Sequence, residues 1–278
     1  MQIHVFDIEV FAHDWIAVFY DVSSGTWTVL HNDNDTMRSY LSTSDRIFCG
    51  FNNKHYDNHI VKAISCGAPP ELVKQINDFI IGSERPGWEH WFLRQNKFWF
   101  DSFDLMDDTQ VGTSLKHIEA HHGVNIEETE VDFNLDRPLT NEEIERTIRY
   151  CKWDVWNTVR LLTLRKSYLD TKLIVGRSIG LSDAQSLYNT NAVLTAKALK
   201  ATPVARFDER DYKYPDNLDK SMIPGDVLQF FDDIHDRTIP DKEYFSRSLK
   251  FNIGRCEVKI GFGGIHGAIN NYIGGGDA

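Results

Sequence analysis

The chain has 278 residues and a net charge of −11, with 41% hydrophobic and 26% charged residues, the balance of an ordinary globular protein of about two domains. No run is apolar enough to span a bilayer, strand-like sequence from residue 2 leaves no room for a secretory leader, and the scattered Cys49, Cys66, Cys151 and Cys256 form no C-x-x-C, so a cytoplasmic protein with reduced thiols and no membrane partner is expected. Nearly all of the negative excess lies in residues 1–166, which excludes broad phosphate-neutralising surfaces and makes any nucleic-acid contact local.

Gln2 to Glu9 alternates apolar and polar residues, the period of a strand. Residues i and i+2 of a strand share a face, so Asp7 and Glu9 project together. Adjacent carboxylates repel, and burying them is costly unless a cation lies between. A hard divalent cation such as Mg²⁺ fits. Taken alone, the pair reads equally as two solvated acids on an edge strand.

Trp15–Val22 and Thr26–His31 read as strands joined by Ser23-Ser24-Gly25, giving a three-stranded antiparallel start. A short helix follows over 35–43. Ile47 to Phe51 is a buried strand ended by Asn52 and Asn53. His55 to Cys66 is a helix stopped by Gly67, and Pro69-Pro70 opens another to about Ile81. Trp88 to Phe100 is dense in aromatics and has no clear period. Phe98 to Leu105 is a strand. Ser114-Leu115-Lys116 starts a helix ending at Gly123. Thr140 and Glu143 form a capping box, opening a helix from Asn141 to about Lys166 with Ile144, Ile148, Val155, Val159 and Leu162 as its apolar stripe. Leu181 to Leu199 reads as helix and Phe251 to Ile260 as strand. Residues 202–245 show little periodicity.

Three further features join the first strand. Asn53-Lys54-His55-Tyr56-Asp57 places an acid at a helix start. Tyr150-Cys151-Lys152-Trp153-Asp154 places a tyrosine and an acid four apart on one helix face. The third is their order: D-x-E, then N-x-x-Y-D, then Y-x-x-x-D. Separately, Asp57 could cap its helix, Asp154 could pair with a cation, and Tyr150 could be a core residue.

As an ordered set they resemble the DEDD 3′→5′ exonucleases of ribonuclease H-like fold, in the subgroup with tyrosine in the last motif. The other subgroup carries histidine five residues before the last Asp, where this chain has Arg149. More narrowly, residues 1–166 resemble the proofreading domain of phage family B DNA polymerases. Ser114-Leu115-Lys116-His117-Ile118 matches that family's strand-holding motif, and Val131-Asp132-Phe133 and Arg137-Pro138 follow in its order. The resemblance implies an α/β fold, a ribonuclease H-like mixed sheet flanked by helices, over 1–167. Residues 168–278 would be a helical and irregular extension leading toward a palm domain absent from this chain.

It also implies two divalent ions, Mg²⁺ or Mn²⁺, held by Asp7, Glu9, Asp57 and Asp154, with Tyr150 orienting the attacking water. Asn53, Tyr56, Ser114, Leu115 and Lys116 would hold a single-stranded DNA 3′ end. Polymerase activity is not expected. A polymerase domain outside the chain is the implied partner, the sequence being read as the start of a longer phage protein located in the host cytoplasm.

Some positions depart from the pattern. Val10 replaces a threonine, Glu128 stands near an expected lysine, and Gly261 takes the tyrosine position ahead of Gly263-Gly264. Asp183-Ala184-Gln185-Ser186-Leu187-Tyr188-Asn189 imitates a palm motif, but it precedes the Gly-Gly segment and reads as a helix with Leu187 and Val193 buried. Two other readings stay open: a stand-alone nuclease acting on RNA or DNA, and a non-catalytic module that binds nucleic acid or a partner.

Overall fold

A computed structural model describes residues 2–83, 85–109, 114–121, 123, 131–202, 209–211, 213–253, 256–261 and 264–268. The chain divides into two compact units, Met1–Ala201 and Thr202–Ala278.

In the first unit a five-stranded sheet runs in the order β3-β2-β1-β4-β5. Its strands are β1 (Gln2–Val10), β2 (Trp15–Asp21), β3 (Thr26–His31), β4 (Arg46–Gly50) and β5 (Ser102–Asp104). β1 pairs antiparallel with β2, and β2 with β3. β4 runs parallel to both β1 and β5. The sheet is therefore mixed, and the antiparallel start expected from sequence is present. Its first turn is held by Asp21, whose Oδ1 accepts the Ser23 amide at 2.8 Å and whose Oδ2 accepts the Ser24 hydroxyl at 2.7 Å.

Alternation along β1 sends its side chains to two cores. Phe6, Ile8 and Val10 join Phe19, Phe48, Ile60, Ile64 and Ile76 on one face. That face is covered by α1 (Asn34–Leu41), α2 (Asp57–Ser65) and α3 (Pro70–Ser83). Val5 joins Val18, Cys49, Cys151, Val155, Val159 and Leu162 on the other. Asp7 and Glu9 share Val5's parity, and so face that second layer.

The aromatic-rich stretch holds one 3₁₀ turn at Gly87–Glu89 and the short α4 (Trp91–Gln95). α5 spans Leu115–His121. α6 (Asn141–Leu164) opens with the full capping box: Thr140 accepts the Glu143 amide, and Glu143 accepts the Thr140 amide at 2.8 Å. α6 crosses β1 and β2 with the predicted stripe. The first unit then continues beyond residue 167 through α7 (Lys166–Ser178), α8 (Asp183–Tyr188) and α9 (Asn191–Ala198). Gly176 makes room for α8, since a Cβ there would lie 1.8 Å from Ser186 Oγ.

Two sequence expectations are corrected. The segment Leu181–Leu199 is two helices, because Asn189 and Thr190 take extended backbone between them. As expected Leu187 is buried, but Val193 is 41% exposed and Leu194 is buried in its place. The stretch Phe251–Ile260 is two strands, with Ile253 paired to Cys256. Gly254, in residues outside those described, was the punctuation that alternation on either side concealed.

In the second unit, β6 (Ser248–Ile253), β7 (Cys256–Gly261) and β8 (Gly264–Ala268) form an antiparallel sheet. Gly261 pairs with Gly264, so the Gly-Gly segment adjoins a hairpin; residues 262–263 and the last glycine run lie outside the described residues. α10 (Gly225–Asp232) supplies Val227 to a small core with Val258 and Ile260. Residues 202–245 also contain α11 (Asp241–Ser246) and a buried Arg210, which donates to the carbonyls of Asp236 and Ile239 at 2.8 and 2.7 Å.

Candidate metal centre

Four carboxylates from three elements act on one another. Asp7 and Glu9 come from β1, Asp57 from the first turn of α2, and Asp154 from the middle of α6. Burial, and then the charges of Asp7, Asp154 and Asp57, push Glu9 well above the usual carboxylate range. Asp57 is 5% exposed and is raised by burial and by Asp7, with the Ile8 amide partly offsetting this. Asp7 is also raised by burial, against a bond from Cys151. Such a cluster is unfavourable as bare anions and favourable around a cation.

α6 contributes three consecutive turns' worth of contacts. Tyr150 donates its hydroxyl to Asp154, and burial, Asp154, Glu9 and Asp7 together raise its proton affinity. Cys151 Sγ lies 3.3 Å from Asp7 Oδ2. Asp7, Glu9 and Cys151 offer ligand atoms within 4.8 Å of one another, a group that could hold a metal ion. Burial and the charges of Asp7 and Glu9 push the thiol up, so it serves as a donor to Asp7. The ligands left to a cation are carboxylate oxygens, the preference of hard divalent ions.

Two acids that the sequence reading passed over hold the frame. Asp104 on β5 accepts the amides of Asn52 at 2.8 Å, Lys54 at 3.0 Å and Met106 at 2.8 Å. Asn52 has φ 64°, a left-handed conformation that asparagine tolerates, and the chain turns there from β4 toward Asp57. Asp14 is buried; its Oδ1 meets His31 Nε2 at 2.6 Å and its Oδ2 accepts the Leu139 amide at 2.8 Å. That bond pins the entry of α6 to the β1–β2 turn, and so sets Tyr150–Asp154 against Asp7–Glu9. Neither residue belongs to a motif; both become visible only through contacts between distant segments.

The expected strand-holding residues are placed unevenly. Asn53 is fully buried, donating to Asn58 Oδ1 at 3.1 Å, while its own Oδ1 has no partner. Tyr56 is tied to α3 through a 2.5 Å bond to Asn77 Oδ1, and its half-buried ring still borders an open depression. Ser114 and Lys116 are exposed and Leu115 packs against the core. Lys116 is near enough for its charge to favour ionised Glu9.

No family model matches this chain, and no curated protein is significantly similar to it. Fold and site define an α/β protein with a mixed five-stranded sheet flanked by helices and an acidic cluster able to hold a metal. Among the described residues no helix is long and apolar enough to cross a membrane.

Proposed function

We propose that this chain is a metal-dependent 3′→5′ exonuclease of ribonuclease H-like fold, releasing nucleoside monophosphates from single-stranded DNA ends as the proofreading part of a phage-type family B DNA polymerase. The observation that carries this reading is the convergence of Asp7, Glu9, Asp57 and Asp154, which raise one another's proton affinity, with the Tyr150 hydroxyl on Asp154.

A phosphodiester is an anion, and four carboxylates repel it unless cations intervene. When bound, two Mg²⁺ or Mn²⁺ ions supply an activated water and neutralise charge on the phosphate. Asp7, Glu9, Asp57 and Asp154 would hold them. The Tyr150 hydroxyl, fixed by Asp154, is positioned to orient water at the edge of the cluster. Lys116 and Ser114, exposed at the head of α5, are placed to meet backbone phosphates of the strand.

The test is release of mononucleotides from a 3′-terminal single strand with Mg²⁺ or Mn²⁺. Asp7→Ala with Glu9→Ala abolishes release while far-UV circular dichroism stays as in the parent. A double variant that degrades DNA at the parent rate removes the assignment. Matched DNA and RNA oligomers, compared in the same assay, report the sugar preference.

A further inference from the structure

The aromatic stretch without a clear period forms a surface that the catalytic reading leaves unused. Three depressions, of about 510, 680 and 420 Å³, all border Trp88. Trp88 is 56% exposed and Trp99 83%, in positions where a folded chain alone gains nothing from an indole. α2 supplies one wall through His55, His59 and Lys62, spaced so that they share a helix face. Ile60 and Ile64, on its other side, are buried against the sheet. The nearer end is bordered by Asn52 and Tyr56, next to Asp57 in sequence.

The charge here is opposite to that of the whole chain. Lys62, Arg94 and Lys97 line the furthest depression and form no ion pair among the described residues, whereas Arg85 is held by Glu89 at 2.5 Å. The Lys62 ammonium lies 5.8 Å from the Trp99 ring centroid. Burial and then the charge of Lys97 push Lys62 below its ordinary value. Unpaired cations beside open indole faces fit a ligand with repeating phosphates and exposed bases.

We infer that this groove, from Tyr56 past Trp88 to Trp99 and Lys97, binds single-stranded nucleic acid by base stacking on the two tryptophans and phosphate contacts to Lys62, Arg94 and Lys97. The choice of a single strand rests on the exonuclease reading, but the binding requires neither metal ions nor the acidic cluster.

The experiment is fluorescence anisotropy in EDTA, with a labelled oligodeoxythymidylate of about 15 nucleotides. Trp99→Ala, at an exposed position that does not threaten folding, weakens binding roughly 5- to 100-fold. Lys62→Ala with Lys97→Ala weakens it and flattens log affinity against log salt by about 0.7 per lost phosphate contact. Asp7→Ala with Glu9→Ala binds as the parent does. Polyglutamate, which has charge without bases, does not displace the oligonucleotide.

Parent-like binding by both groove variants overturns the inference, as does equal displacement by polyglutamate. If the oligonucleotide is bound through the groove but never hydrolysed with Mg²⁺ or Mn²⁺, the exonuclease reading fails and the groove stands. Hydrolysis by a protein whose groove variants bind normally has the opposite meaning.

Discussion

The Cys151 thiol donates to Asp7 Oδ2 across 3.3 Å, joining α6 to β1 inside the acidic cluster. That bond favours ionised Asp7, against the burial that raises it. Cys151→Ala removes the donor, so Asp7 loses its proton only at higher pH. The pH above which Mg²⁺ raises the melting temperature therefore moves up in Cys151→Ala and returns toward the parent in Cys151→Ser. Melting curves over a pH series, with and without Mg²⁺, check this. An unmoved threshold in Cys151→Ala means the thiol only fills space.

The cluster also predicts how stability depends on pH. Glu9 and Asp57 have folded-state values raised well above their ordinary ones, so the metal-free folded protein holds more protons than the unfolded chain. Their contribution is fully present below the ordinary carboxylate range and is lost as pH rises toward the raised values. Metal-free protein is expected to melt at a higher temperature in mild acid than at neutrality, other groups being equal. Asp57→Asn abolishes most of that difference and blunts stabilisation by Mg²⁺. Calorimetry in EDTA and in Mg²⁺ separates the two effects, and a parent-like pH response in Asp57→Asn rules the account out.

Tyr150→Phe keeps the ring and removes the hydroxyl donated to Asp154. Hydrolysis is expected to slow by roughly 10- to 100-fold, with oligonucleotide affinity nearly unchanged. Single-turnover rates beside anisotropy titrations make the comparison. Equal losses in both would assign the hydroxyl to binding.

Asp104→Asn leaves shape almost intact but replaces one acceptor oxygen by a donor, although the amides of Asn52, Lys54 and Met106 all need acceptors. An amide left facing a buried donor costs about 1–3 kcal/mol. Urea unfolding should show that loss. Hydrolysis should fall as well, because the segment leading to Asp57 is no longer held. Full activity with reduced stability would confine Asp104 to the fold.

Capping offers a simpler measurement. Thr140→Ala breaks the box at the start of α6 and is expected to cost about 1 kcal/mol in urea unfolding. The loss should leave the Tyr150–Asp154 end of the helix active, since the following turns are anchored by Cys151 and Val155 in the core.

Most of what chemistry the chain carries could be read locally. Alternation placed Asp7 and Glu9 on one face of a strand, helical spacing put Tyr150 with Asp154, and Gly67 and the Thr140 box marked helix ends, because these depend on neighbours a few residues apart. Long-range pairing decided the rest. Sheet order brought α2 and α6 to the same strand, so that Asp57 and Asp154 meet Asp7 and Glu9. Contacts over dozens of residues gave Asp14, Asp104 and Cys151 their roles, and no short motif encodes such a partner. Folding likewise turned an aperiodic aromatic stretch into one basic groove: its cations and indoles come from separate segments, and their shared surface exists only once α2 has packed against the sheet.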